Sequence, residues 1–460
     1  MKAAIDFSKI VKQMKPVNGV NCAPYAKKHD GVQRRIKDCF KEMHIPYSRL
    51  HDVEGSYGGS YFVDVSNIFR DFDADENDEK NYEFHYSDEY IAAIIEAGAQ
   101  VVYRLGETIE WGTKQYRTNT PKDFKKWARI CERIISHYNE GWANGFHYGI
   151  EYWEIWNEPE NPPMWTGTKE EFFELYKVTA TYLKKQFPKI KIGGYGSCGF
   201  YAVTFRKNSS FFQGVLQYYH DFLKMVKESG APLDFFSWHL YSPDVDEVTE
   251  HAKYVRQTLD ENGFTQTESH FNEWNVGGEG GGFHLMRNMV GASYIASALC
   301  DLQNYDYVDA AMYYVFTSRA AYNGFFDLNL LSKTCTYYAF AAFGKCYGLK
   351  NQVHTESNDR DVRLTAATDG NRGAAVLAYY GGAQMALSIP AGDALAVKRI
   401  EKEEKPCLLS LNGVKKRATV TISRIYEHGV EEIAKYENVE ERLELAMKIE
   451  KNGVLFLQWE

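Results

Sequence analysis

The chain lacks the marks of several protein classes. Its eight cysteines, Cys22, Cys39, Cys131, Cys198, Cys300, Cys335, Cys346 and Cys407, include no Cys-x-x-Cys pair. None stands with histidine at metal-ligand spacing, so neither a disulfide framework nor a zinc site is expected. They read as scattered reduced core thiols. The start, Met1-Lys2-Ala3-Ala4-Ile5-Asp6-Phe7-Ser8, has no apolar stretch of a secretory signal, which makes the cytoplasm the expected location. No apolar run reaches about 18 residues, so no membrane span is expected. Lysine and arginine form no basic stripe and the net charge is −9, which argues against a nucleic-acid partner. There are no internal repeats and no low-complexity segments. The acidic run Asp71–Glu79 lacks the spaced ligands, glycine and terminal glutamate of a calcium loop and reads as a solvated loop. Nothing in the pattern calls for a metal or a cofactor.

Aromatic residues, by contrast, are plentiful: 15% of the chain, with 33 Tyr and 9 Trp. Such residues fill cores, and some can serve as stacking platforms for sugars. At 460 residues the length suits one large barrel and a smaller domain.

From Val17 onward, strand-like apolar runs alternate with long amphipathic stretches. The runs are Val17–Cys22, Ile45–Leu50, Ala99–Leu105, Tyr152–Trp156, Lys191–Tyr195, Phe235–Leu240, Ser269–Asn272 and Ala310–Val315. Helical stretches separate them, from Gly31–Met43 to Thr336–Tyr347. Strand and helix repeated eight times predict an α/β fold, a (β/α)₈ TIM barrel, over 15–347. Ser87-Asp88-Glu89 reads as a helix start, and Gly98 and Gly230 as helix ends.

Beyond Tyr347 the pattern changes to short alternating runs: Val362–Ala367, Ala374–Tyr380, Ala383–Ile389, Ala418–Tyr426 and Val454–Trp459. They predict a C-terminal all-β sandwich over 348–460, with residues 1–14 packed on it.

The fourth run ends in Trp156-Asn157-Glu158-Pro159. Proline cannot donate to a sheet ladder, so Pro159 ends the strand and leaves Asn157 and Glu158 at its carboxyl end. Barrels gather their chemistry there. Other strand ends match: Arg49 and His51 after the second run, His239 and Tyr241 after the sixth, Glu273 after the seventh, and Tyr314 after the eighth. Arg49 and His51 are two apart and face the same way on an extended chain, as do His239 and Tyr241. Two glutamates across a barrel mouth suit glycosidic cleavage, one as acid and one as nucleophile or base. Such a pair repels, so one member keeps its proton. Arg49 and Tyr241 are expected to hold Glu273 ionised, which leaves Glu158 with the raised pKa.

The ordered set Arg-x-His, Trp-Asn-Glu-Pro, Ser-x-His-x-Tyr and Glu-Trp-Asn resembles the clan A glycoside hydrolases, and more narrowly glycoside hydrolase family 39, the β-xylosidases and α-L-iduronidases. The resemblance covers about residues 17–350, and the family's β-sandwich accessory domain fits the rest. It implies a retaining glycosidase acting on the non-reducing end of a small glycan. Glu158 would be the acid/base and Glu273 the nucleophile. Asn157 would bind the sugar 2-hydroxyl, His239 and Tyr241 would orient the site, and Arg49, His51 and Tyr314 would line the sugar pocket. β-Xylosidase leads; β-galactosidase, α-L-arabinopyranosidase, β-glucosidase and a uronic-acid-releasing activity stay open, as do a catalytically inactive carbohydrate-binding barrel and a homo-oligomeric state. Two features depart from the family: Tyr314 stands where Trp is usual, and Arg319-Ala320-Ala321-Tyr322 stands where xylosidases carry an acid. The run Gly277–Gly282 reads as a loop over the mouth, since glycine permits unusual backbone angles.

Overall fold

The computed structural model of the chain describes residues 1–24, 31–53, 61–110, 112–204, 208–277, 282–317, 320–327, 332–389 and 403–460. It holds two sheets. Eight parallel strands close into a barrel in chain order: β2 (Gly19–Asn21), β3 (Tyr47–Arg49), β4 (Gln100–Leu105), β5 (Tyr152–Ile155), β6 (Lys191–Ser197), β7 (Phe235–Tyr241), β8 (Glu268–Asn275) and β9 (Ala310–Tyr313). They fall on the eight apolar runs of the sequence. Parallel strands must be covered on the outside, and this explains the amphipathic stretches between them. The helices are α1 (Gly31–Glu42), α2 (Val65–Ile68), α3 (His85–Glu96), α4 (Phe124–Asn139), α5 (Lys169–Gln186), α6 (Ser210–Ser229), α7 (Val245–Glu261), α8 (Met289–Asn304), α9 (Cys335–Gly348) and the short α10 (Ala383–Leu387).

Local signals explain most helix limits. Thr168 and Glu171 form a reciprocal capping box at the start of α5, which satisfies two otherwise orphaned amides. Gly230 ends α6 at φ +66°, a left-handed position that glycine takes without a Cβ clash. Ser87 corrects the sequence reading: α3 begins two residues earlier, at His85, and the Ser87 hydroxyl donates to Phe84 O (3.0 Å) instead of capping. All eight cysteines are free. Among the described residues, no helix is long and apolar enough to cross a membrane.

The second sheet has nine strands: β1 (Lys2–Gln13), β10 (Asn351–Ser357), β11 (Val362–Thr368), β12 (Gly373–Tyr379), β13 (Glu404–Asn412), β14 (Ala418–Tyr426), β15 (Gly429–Val439), β16 (Arg442–Glu450) and β17 (Gly453–Trp459). Their order is β15-β14-β17-β12-β11-β10-β1-β13-β16. β1 lies antiparallel to β10 and parallel to β13, so the first residues of the chain belong to this sheet. Val420 and Ile422 of β14 share one apolar cluster with Leu409 of β13 and Leu445 of β16. The two ends of the order therefore curl over a common core, as in a sandwich. The opposite face of β11, β12 and β17 packs on α8 and α9 of the barrel.

The run expected as a strand at Ala383–Ile389 is instead α10. Gly381-Gly382 leaves the sheet before it, and the apolar residues fit either pattern: Ala383, Met385, Leu387 and Ile389 repeat at strand spacing, Ala383, Ala386 and Leu387 at helical spacing.

Candidate active site

Arg49 closes β3 and points into the barrel, wholly buried. A buried guanidinium is tolerated only when its donors are met. Here Nε donates to Glu154 Oε2 (2.7 Å), Nη1 to Glu273 Oε2 (3.1 Å) and Asn21 Oδ1 (3.2 Å), and Nη2 to Asn157 Oδ1 (2.6 Å). Asn272 Nδ2 holds the other Glu154 oxygen (2.7 Å). Burial alone would raise the Glu154 carboxyl, but the Arg49 charge overrides it and holds the group below its ordinary range. Arg49 and Glu154 are thus a fixed ion pair beneath the site.

Glu158 follows β5 on a strained turn. Trp156 (φ 72°) and Glu158 (φ 48°) are both left-handed without being glycine, which costs on the order of 1–3 kcal/mol each. The Glu158 amide donates to Gly196 O (2.9 Å) and Tyr195 O (3.1 Å), which pins the turn to β6. The carboxylate then meets His239 Nδ1 (2.7 Å) and accepts from Asn161 Nδ2 (2.8 Å). Across the mouth, Glu273 Oε1 accepts from the Tyr241 hydroxyl (2.5 Å). His239 stands between the two acids, its Nε2 lying 3.7 Å from Glu273 Oε2. One ligand atom each from Glu158, His239 and Glu273 lie within 4.8 Å of one another.

The electrostatics differ from the sequence expectation at Glu273. Burial pushes its carboxyl above the ordinary range, neighbouring Glu158 pushes the same way, and His239, Arg49 and Tyr241 recover only part of the shift. Burial lowers His239 to about 4, so its ring is neutral near pH 7. Two acids this close titrate as a pair.

Gly196 forms the floor. A Cβ there, at φ +64°, would meet Asn157 Oδ1 at 3.2 Å and both Arg49 Nη2 and His239 Nε2 at 3.3 Å. Only glycine lets β6 pass under the network without pushing it.

Two expected pocket residues join the site through a third that the sequence reading did not single out. The Tyr314 hydroxyl donates to Asp52 Oδ2 (2.9 Å), and His51 Nε2 lies 3.4 Å from that same oxygen. Burial keeps His51 neutral and raises Asp52 to about 6. Tyr314 meets Tyr241 edge-on, with ring centroids 6.4 Å apart. Glu154 also escaped notice, although a carboxylate inside an apolar strand is itself a signal of a buried partner. Arg319 and Gly278–Gly281 of the glycine-rich loop lie outside the described residues.

Glu158, His239 and Glu273 are the group among the described residues close enough to ligate a cation. The Arg49 guanidinium already supplies positive charge to Glu273 there.

The chain has relatives. A β-xylosidase of Geobacillus stearothermophilus is 25% identical over 333 residues, 62% of this chain, and the chain spans 60% of that relative's length. A glucosidase structure from Croceicoccus marinus superposes with a TM-score of 0.79 at 21% identity, covering 100% of this chain and 98% of that one. A monomeric β-xylosidase structure from Caulobacter crescentus CB15 gives 0.72 at 18% identity, covering 100% and 99%. At those identities the two structures speak for the fold alone. The model of the glycosyl hydrolases family 39 matches residues 1–431, and the chain belongs to that family.

Proposed function

We propose that the protein is a retaining glycosidase that releases the terminal sugar from the non-reducing end of a small glycan, with β-xylosidase as the leading activity. The observation that carries the reading is the carboxylate pair: an oxygen of Glu158 and an oxygen of Glu273 are within 4.8 Å of each other. Retaining enzymes keep their carboxyls about 5–5.5 Å apart, and inverting enzymes need about 6.5–9.5 Å to admit a water.

Glu273 is the nucleophile. Arg49 and Tyr241 both donate to its oxygens and favour the ionised form that attacks. Its lone pair forms a bond to the anomeric carbon as the bond to the leaving oxygen breaks. Glu158 supplies the proton to that oxygen. In the second step Glu158 takes a proton from water, which attacks the anomeric carbon and frees Glu273. The raised Glu273 carboxyl fits a free site in which the pair shares one proton, and the proton settles on Glu158 as substrate arrives. Neutral His239 accepts at one ring nitrogen, which suits a protonated Glu158 at 2.7 Å. Asn157, fixed by Arg49, is placed to bind the sugar 2-hydroxyl. His51 and Tyr314 line the far side of the pocket.

The β-xylosidase relative supports the sugar. Rates on a panel of nitrophenyl glycosides identify the sugar. Proton NMR of the first-formed product tests retention: the product should appear with the substrate's anomeric configuration, and the opposite anomer would sink the double-displacement reading.

A further inference from the structure

Four buried polar atoms on one side of the mouth have no hydrogen-bond partner among the described residues: His51 Nδ1, Asp52 Oδ1, Arg104 Nε and Arg104 Nη1. His51 and Asp52 follow β3, and Arg104 lies on the neighbouring β4. The Arg104 charge reaches both His51 and Asp52. Arg104 is wholly buried and held from behind, its Nη2 donating to Asp64 Oδ1 (2.6 Å) and, at 3.3 Å, to Thr108 Oγ1. Asp64 is itself fixed by Arg117 Nη1 and the Thr108 amide, both at 2.7 Å. Asp52 is held just as firmly at its other oxygen by Tyr314. The unused faces are therefore presented by fixed side chains, not by groups that happen to point inward.

A buried donor or acceptor left unmatched is costly to the fold. Four together, beside a catalytic pair, mark a place that a polar guest completes. The set holds an acceptor, Asp52 Oδ1, and donors on Arg104. Neutral sugar hydroxyls both donate and accept, so they match it. A sugar carboxylate would find Arg104 but would be repelled by Asp52.

We propose that Asp52 and Arg104, beside the expected pocket residue His51, form a specificity subsite for hydroxyl groups of a neutral terminal sugar, on the side away from the anomeric carbon. The assignment rests on the glycosidase reading above and adds the group that selects the sugar. Asp52 Oδ1 accepts from one hydroxyl and Arg104 donates to its neighbour. Tyr314 positions Asp52.

The test is calorimetric binding of D-xylose and D-galactose, with their 3-deoxy and 4-deoxy analogues and D-glucuronic acid, to wild type, Asp52→Asn and Tyr314→Phe. Asp52→Asn should weaken the better-bound parent sugar about tenfold or more. On one deoxy analogue, wild type and Asp52→Asn should agree within about twofold, because the hydroxyl that Asp52 reads is gone. Tyr314→Phe removes only the hydroxyl that holds Asp52, so it should show a smaller loss with the same hydroxyl dependence. An equal loss on every analogue would mean a structural role and overturn the proposal. So would unchanged affinity, or tighter binding of the uronic acid than of the neutral sugars. Retention is read separately from the product anomer, so failure of the nucleophile reading and failure of the subsite leave different signatures.

Discussion

The barrel mouth and the C-terminal sheet handle charge in opposite ways. In the mouth, Arg49, Glu154 and Arg104 are wholly buried, and His51, Asp52, Arg104, His239 and Asn272 carry polar atoms without partners. In the sheet, the ion pairs Arg424–Glu431, Lys448–Glu404 and Lys451–Glu403 lie at the surface, and Arg363 of β11 is largely buried only where it meets Asp301 of α8. The single unpartnered buried side-chain atom among the described residues of that sheet is Trp459 Nε1. Surface pairs are worth about 0–1 kcal/mol, and a core such as Ile5, Leu377, Leu409 and Leu457 stabilises by burial alone. The mouth instead keeps costly buried charges, and the scaffold around it must supply the stability that they remove. The sheet is built to be stable and the mouth to be reactive.

The comparison breaks first at Glu273. Glu273→Gln should lower kcat by at least about 10⁴-fold while leaving the protein folded, since the attacking charge is lost and the shape is kept. Near wild-type rates on an activated aryl glycoside would refute the assignment. Glu158→Gln should cost about 10²–10⁴-fold on a substrate with a poor leaving group and much less on one with an activated phenol. The alkaline limb of the pH profile should vanish with it, and equal losses on both substrates would point to positioning instead.

A smaller effect separates the two regions by pH. Burial raises Glu160 to about 7 and Glu107 to about 8, both in the barrel. The folded state keeps protons that the unfolded chain has released, so these groups add stability that is fully present below about pH 4 and lost as pH rises through 7 and 8. His239, lowered to about 4, acts oppositely, but its contribution is complete above about pH 6.5. Lys15, lowered by burial to about 8, offsets part of the loss. Stability should therefore fall between pH 6.5 and 8.5, by up to about 1 kcal/mol per pH unit, and the melting temperature should fall with it. Glu107→Gln should flatten that slope, and an unchanged slope would contradict the burial account. The smallest effect belongs to the sheet. Lys448→Ala should leave both stability and kcat/KM nearly unaltered, because an exposed pair is screened by solvent, as chemical denaturation and steady-state rates would show.

The barrel was legible because its parallel strands, buried on both faces, are mostly apolar runs, from Val17–Cys22 to Ala310–Val315, and amphipathic stretches separate them. Glu158 and Glu273 were legible because a carboxylate at the end of such a run stands out. The strands of the second sheet were harder to see. β15 is an edge strand exposed along most of its length, so its charged alternation carries little apolar signal. β1 lies far from β10 in sequence, and local pattern says nothing of that pairing. Asp52 is a single polar residue beyond a three-residue strand, and its meaning comes only from Tyr314, brought 262 positions along the chain to meet it. The raised Glu273 carboxyl likewise depended on the depth of burial, which neighbouring residue types do not reveal.

As the nucleophile, Glu273 should bond to the sugar. Incubating the protein with an activated 2-deoxy-2-fluoro glycoside of the preferred sugar, then digesting it for peptide mass spectrometry, tests this directly. One fluoroglycosyl mass should appear on the peptide carrying Glu273, with activity lost in step and regained as the adduct hydrolyses. A label on Glu158, or turnover of the reagent without any adduct, would contradict the account.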